Sequence, residues 1–210
     1  MIAVYVLVAM VAYMLGSISF SIIFSKKFAG FDVREKGSKN AGSTNVLRTV
    51  GKKAAALTLL CDILKGVVAV VIAFLVGIAF EEGQINRPLL VQLAGIFVII
   101  GHTFPVYFKF KGGKGVATSL GVLLIINWQI GLICLVFALL LMALSRMVSL
   151  GSIVAALLFP VLTIFIGQNY LVPGNYIIFG VLIALFVIFN HRENVKRLLA
   201  GEENKLSFKK

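Results

Sequence analysis

From Val116 to Leu144 the chain runs 29 residues without a charged side chain, and Met1 to Ser25 is a second such stretch. In water these segments would have to be wrapped by the rest of the protein, yet the rest is little more polar. Residues of the AVILMFWYC class make up 60% of the 210, charged residues 13%, and mean hydropathy is +1.04. Soluble domains average about 45–50% apolar and about 25% charged. A chain this apolar cannot enclose a single core and still present a wettable surface, so the expected fold class is an all-α polytopic membrane protein. Disorder, collagen-like repeats and a disulfide-stapled secreted scaffold are excluded. Cys61 and Cys134 both fall in apolar stretches and are expected as core thiols, not as a bridge.

Apolar runs cover residues 2–25, 54–80, 89–106, 116–127, 128–144, 150–166 and 175–190. A span takes about 20 residues. The first run is too long and intact for a removable signal segment, and no Lys or Arg precedes it. As one helix, 116–144 would be about 43 Å long against a hydrocarbon core of about 30 Å. As two helices broken near Asn127-Trp128-Gln129, each is short.

Charge placement decides between them. Seven spans with the N-terminus outside leave 26–53, 104–115, 145–149 and 191–210 on the inner side, holding 18 of the 20 basic residues. The outer side keeps Arg87 against Glu81 and Glu82, while Asp62 and Lys65 lie within the second span. Six spans would export Arg192, Lys196, Arg197, Lys205, Lys209 and Lys210, against the positive-inside rule. The expectation is one membrane domain over 1–210, with seven transmembrane helices and a cytoplasmic C-terminus.

The inner segments carry more than charge. Gly37-Ser38-Lys39-Asn40-Ala41-Gly42-Ser43-Thr44-Asn45-Val46-Leu47-Arg48 combines glycines, small hydrogen-bond donors and a guanidinium fork suited to an oxyanion. Gly101-His102-Thr103-Phe104-Pro105 leads to Lys111-Gly112-Gly113-Lys114-Gly115-Val116-Ala117-Thr118, glycines beside a lysine at a helix start, which suits a phosphate. His191-Arg192-Glu193-Asn194 places His191 and Asn194 on one helical face. Each feature also has an ordinary explanation. Basic inner loops serve topology, glycines cap helices, and His102 could simply bond a backbone carbonyl. Asp62 and Lys65, three apart, are expected to pair with each other and position the second helix. Ser152, near Arg146 and Ser149, is either a packing hydroxyl or a site donor.

Several chemistries are missing. There is no G-x-x-x-x-G-K-[ST] and no G-x-S-x-G. Neither histidine begins a His-x4-Asp motif, because Tyr107 and Lys196 stand at the fifth positions. The scattered inner carboxylates do not supply a magnesium cluster. No metal, cofactor, nucleic-acid partner or obligatory protein partner is expected. What remains is a cationic, donor-rich site at the inner membrane boundary, suited to substrates that bring their own negative charge and activation. An acyl group already joined to phosphate fits, since phosphate leaves without an acyl-enzyme. A small-anion transporter would want similar groups, but near mid-membrane.

The three inner segments resemble the bacterial acyl-phosphate:glycerol-3-phosphate acyltransferases (PlsY) over nearly the whole chain. The likeness rests on Gly37-Ser38-x-Asn40-x-Gly42-x-Thr44-Asn45-x-x-Arg48, on Gly101-His102-x-Phe104-Pro105 through Thr118, and on His191-Arg192-x-Asn194-x-x-Arg197-Leu198-x-x-Gly201-x-Glu203. Lys39 stands where the family usually has glycine. The resemblance implies seven transmembrane helices and a cytosolic active site in the bacterial plasma membrane. It also implies acyl transfer from acyl phosphate to the 1-hydroxyl of sn-glycerol 3-phosphate, giving lysophosphatidic acid and phosphate. On that basis Ser38, Arg48, Lys114, His191 and Asn194 are expected to grip glycerol 3-phosphate, and Asn40 and Thr44 to hold the acyl phosphate. Asn45, Lys111, Gly112, Gly113, Ser152 and Arg192 are expected to assist binding. The proton acceptor is either His191 or the substrate's own phosphate. An acyltransferase using another donor stays open, as does the transporter.

Overall fold

The computed structural model describes residues 1–166, 171 and 173–206. Among these every regular element is helical, and the chain divides into two compact units, 1–126 and 127–210, where the sequence pattern predicts one domain.

The first unit holds α1 (Ile2–Gly16), α2 (Phe20–Ala29), α3 (Ser43–Thr49), α4 (Lys52–Ile78), α5 (Arg87–Thr103) and α6 (Val116–Ile126). The expected unbroken run through Ser25 is instead interrupted at Ser17-Ile18-Ser19. Gly16 and the serines are weak helix formers, and Lys65 supplies a partner for the carbonyls that the break exposes. The Asn86 side chain caps α5 by accepting from the Leu89 amide at 2.9 Å. That helix ends ahead of Pro105, which lacks the amide to continue it.

Helices α4 and α6 approach through glycine. A methyl at Gly121 would overlap the Ile63 carbonyl, and one at Gly66 the Thr118 carbonyl. Close backbone approach through small residues is the usual way helices associate where lipid removes the hydrophobic driving force.

The second unit holds α7 (Trp128–Ser145), α8 (Val148–Phe165), α9 (Ile177–Asn190) and α10 (Arg192–Leu199). The uncharged 116–144 stretch is indeed two helices. Asn127 sits in extended backbone and its side chain accepts from the Ile130 amide at 3.1 Å, starting α7 with a cap. On α7 only the stripe Ile130, Gly131, Cys134 and Ala138 is buried, while Val136, Phe137, Leu139 and Leu140 face outward. Such an apolar outer face suits lipid, not water. Phe159 of α8 meets Phe179 of α9 edge-on at 5.9 Å. Cys61 and Cys134 are both free thiols.

Among the described residues five helical stretches are long and apolar enough to cross a membrane, and α9 joins them only together with α10, which bends from it by 66°. At 11 residues, α6 is about 16 Å long, well short of a bilayer core. The loop expected over 167–174 and the basic pair Lys209 and Lys210 lie largely or wholly outside the described residues.

Because the Gly121 hydrogen faces backbone, Gly121→Val forces α4 and α6 apart and costs about 1–3 kcal/mol of stability. At Gly77 an added methyl meets the Arg87 side chain at 3.5 Å and Leu90 Cδ2 at 3.9 Å, ordinary van der Waals contacts, so Gly77→Ala is near neutral. Thermal unfolding of the two variants in detergent reads the contrast.

Candidate active site

In the first unit, the segment between α2 and α4 is built around two side chains. Asn45, almost wholly buried, accepts from the Ser38 amide at 2.9 Å. Its amide group donates among the carbonyls of Val33, Lys36 and Asn40 at 2.9–3.1 Å. Expected to touch substrate, Asn45 spends both ends of its amide on the loop that presents Ser38 and Asn40. The second organiser is Arg34. Its guanidinium forks onto Asp32, with Nη2 to Oδ2 at 2.8 Å. Its Nη1 donates to the carbonyls of Phe108 at 2.7 Å and Lys111 at 3.0 Å. Asp32 and Arg34 thus tie the first motif loop to the second. Neither stands out in the sequence, because a salt bridge two residues apart looks local until its third arm is seen.

The loops also meet directly. The Ala41 amide donates to the Gly112 carbonyl at 3.4 Å, and a methyl on Gly113 would strike both the His102 ring and the Ala41 carbonyl. The Gly112 and Gly113 amides donate to the Thr103 and His102 carbonyls at 3.0 and 3.1 Å. The structure therefore carries Ser38 and Asn40 on the first loop, Thr44 and Arg48 on the α3 helix that follows it, and Lys111, Gly112, Gly113 and Lys114 on a second loop joined to the first. Ser38, Arg48 and Lys111 are exposed, while Asn40, Thr44 and Lys114 are half-buried. Both glycines are required at least by the closeness of the neighbouring backbone.

Lys39 adopts φ 57°, the left-handed conformation in which glycine is least penalised. A glycine here, as the resemblance leads one to expect, would have a backbone reason, and lysine keeps the conformation at a cost.

His102 does not use its ring on a carbonyl. Its Nδ1 lies 3.4 Å from Asp62 Oδ1, which also takes the Lys65 ammonium at 2.9 Å. Lys65 in turn donates to the carbonyls of Gly16 and Ile18 at 2.9 and 2.8 Å. The expected Asp62–Lys65 pair is present, but its third member comes from α5, 37 residues past Lys65, and no local spacing announces it.

In the second unit His191 and Asn194 are both buried at the start of α10. His191 Nδ1 lies 2.8 Å from the Val187 carbonyl. A carbonyl can only accept, so Nδ1 carries the proton and Nε2 is the basic nitrogen. Asn194 donates to Glu203 Oε1 at 2.9 Å, and Arg197 Nε to Glu203 Oε2 at 3.1 Å. Glu203 is a buried anchor for the tail, and the Leu206 amide continues it to the Arg146 carbonyl at 2.7 Å. Ser152 returns its hydroxyl hydrogen to the Val148 carbonyl at 2.9 Å, so in this arrangement it offers an acceptor, not a donor. Arg192 is exposed, packed over the Phe189 ring and donating to the Phe189 carbonyl at 3.2 Å.

These features define an all-helical integral membrane protein with joined loops that carry glycines and basic side chains. A family model described as Glycerol-3-phosphate acyltransferase matches residues 6–201. The glycerol-3-phosphate acyltransferase of Clostridioides difficile is 47% identical over 98% of this chain and 97% of its own. That of a Nostoc species is 43% identical over 96% and 92%. A crystal structure of PlsY, an integral membrane glycerol 3-phosphate acyltransferase in its glycerol 3-phosphate form, is similar with TM-score 0.84 and 34% identity, covering 97% of this chain and 96% of that one. Its lysophosphatidic acid form gives 0.82 and 33% over 97% and 95%. The chain belongs to the glycerol-3-phosphate acyltransferase family.

Two consequences follow from the loop geometry. The Arg34 hydrogen bonds hold the Asp32 carboxyl below its ordinary 3.8, with burial opposing them. A lowered native pKa adds stability that is complete above the unfolded value and lost as pH falls through the native one. Asp32→Asn is therefore less stable than wild type at neutral pH, and the gap closes below pH about 4, as thermal unfolding across pH will show. At Lys39, relief of about 1–2 kcal/mol of left-handed strain exceeds the roughly 0.5–1 kcal/mol of entropy that glycine adds to the unfolded chain. Lys39→Gly should thus raise the detergent melting temperature, whereas a β-branched Lys39→Val should lower it.

Proposed function

We propose that this chain transfers a fatty acyl group from acyl phosphate to the 1-hydroxyl of sn-glycerol 3-phosphate, giving lysophosphatidic acid and inorganic phosphate. The observation that carries the reading is the joined loop pair, where Arg34 and the Ala41–Gly112 bond hold cations and small donors on one scaffold. Relatives solved in glycerol 3-phosphate and lysophosphatidic acid forms support the acceptor and the product. The donor is supported by chemistry. An acyl phosphate is a mixed anhydride with its leaving group built in, and no nucleophile motif suggests an acyl-enzyme.

Ser38, Arg48 and Lys114 bind the phosphate of glycerol 3-phosphate, and His191 and Asn194 orient its hydroxyl. Asn40, Thr44 and nearby backbone amides hold the acyl phosphate, with Lys111, Gly112 and Gly113 shaping the loop and Arg192 adding positive charge. The hydroxyl oxygen attacks the acyl carbon, and donors stabilise the oxyanion that forms. The carbon–oxygen bond to phosphate then breaks, and phosphate departs with the electron pair. The hydroxyl proton passes to the substrate phosphate, so His191 positions the hydroxyl through Nε2 and is not required as a base.

The same reading places seven spans in a bacterial plasma membrane, with the N-terminus outside and the loops facing the cytoplasm. It is supported by the 18 basic residues on the segments assigned inside and by relatives from bacteria.

Purified protein given acyl phosphate and glycerol 3-phosphate should release phosphate only when both are present, and acyl-CoA should not replace the donor. Anion uptake into vesicles without chemistry would mean a transporter. With the substrate as base, His191→Asn raises KM for glycerol 3-phosphate. A kcat loss of about 10²–10⁴-fold at unchanged KM would instead make His191 the general base.

A further inference from the structure

The segment Lys111–Gly115 has no regular secondary structure, yet it carries Lys114, which the acyl-transfer reading assigns to the acceptor phosphate. Its backbone is held by the Gly112 and Gly113 amides donating to the carbonyls of Thr103 and His102, the last turn of α5. A helix's final carbonyls lack intrahelical partners, so this turn is a ready acceptor surface. The strap can be no better placed than the turn itself. The His102 side chain of that turn is buried between two groups, in ion-pair contact at 3.4 Å with the first and not hydrogen-bonded to it. Asp62 lies at its Nδ1, and Gly113 packs so closely against Nε2 that no side chain fits there.

Asp62 belongs to α4 and could have been satisfied by Lys65 alone. Instead its Oδ1 faces both Lys65 and His102. Lys65 continues the chain of contacts to the carbonyls of Gly16 and Ile18 at the break between α1 and α2. Three ionisable groups buried at membrane depth are costly to keep. A network that only pinned α1 to α4 would not need the third. The titratable and charged groups meeting here are Asp62 and Lys65 from α4 and His102 from α5, with the Cys61 thiol of α4 beside the first two.

We propose that Asp62, Lys65 and His102 form a buried positioning network that sets the Gly112-Gly113-Lys114 strap, with the His102 imidazole clamped between the Asp62 carboxylate and Gly113. None of the three touches substrate. They act through the strap, on affinity for the anionic acceptor. The effect on affinity rests on the acyl-transfer reading above, whereas the effect on the strap does not.

The test uses the full chain in detergent. Asp62→Asn with Lys65→Met removes both charges at nearly constant shape, so neither is left buried alone. His102→Phe keeps a flat ring and removes its nitrogens, leaving the Asp62–Lys65 pair intact. Both should elute as wild type and exchange the Gly112 and Gly113 amide hydrogens about tenfold faster. KM for glycerol 3-phosphate should rise about tenfold, with KM for acyl phosphate within about twofold of wild type. His102→Asn, which keeps a donor near Nδ1, should recover most of the exchange protection. If the double variant does not fold, His102→Phe and His102→Asn carry the same readouts. Wild-type exchange and wild-type KM in His102→Phe would overturn the proposal, as would a loss that His102→Asn does not repair at all. If the wild type shows no phosphate release dependent on glycerol 3-phosphate, the acyl-transfer reading fails, and the exchange rates still decide the strap.

Discussion

Backbone polar groups that leave a helix inside an apolar surrounding must find partners within the chain, because lipid offers none. That requirement explains the arrangement at the α1–α2 break. Where the helix is interrupted at Ser17 through Ser19, the carbonyls of Gly16 and Ile18 receive the Lys65 ammonium. Lys65 is tolerable there only because Asp62 neutralises it within the same helix. One interaction thereby permits a bend in the first apolar stretch, fixes α4 beside it and gives Asp62 the orientation in which it meets His102. The loop scaffold of the first unit is built outward from that point.

The same economy governs the loops. Both motif segments include stretches without regular structure, 36–42 and 109–115, and there side chains substitute for a hydrogen-bonded ladder. Asn45 collects carbonyls from three positions and an amide from a fourth. Arg34 spans to Phe108 and Lys111 while its own charge is balanced by Asp32. Glu203 does a comparable service in the second unit, holding Asn194 and Arg197. In each case a buried or half-buried polar residue is supplied with several partners, as loss of water demands. The more exposed Ser38, Arg48 and Lys111 and the half-buried Asn40, Thr44 and Lys114 are thus presented by a scaffold they do not themselves build.

Much of this is legible in the linear sequence. Long uncharged runs mean apolar helices, and their ends fall within a few residues of the observed ones at Lys52, Asn127 and Asn190. Asn127 reads as a break because asparagine competes with the helix and caps the next one. The motif residues stand out through their dense mixture of glycine, hydroxyl, amide and cation. Functions internal to the loops do not. Asn45 looks like Asn40 in sequence, and Ser152 looks like a donor, because residue type says what a group can bond and not what it already bonds.

Composition, charge placement and motif order are properties of the chain taken in line. They suffice to make it helical and lipid-facing and to identify the glycerol-3-phosphate acyltransferase family. Three-dimensional packing alone settles which glycines are compelled by neighbouring backbone, which polar groups are consumed as scaffold, and that His102 faces Asp62. Those outcomes depend on distances between segments far apart in the chain, and no local pattern encodes such distances.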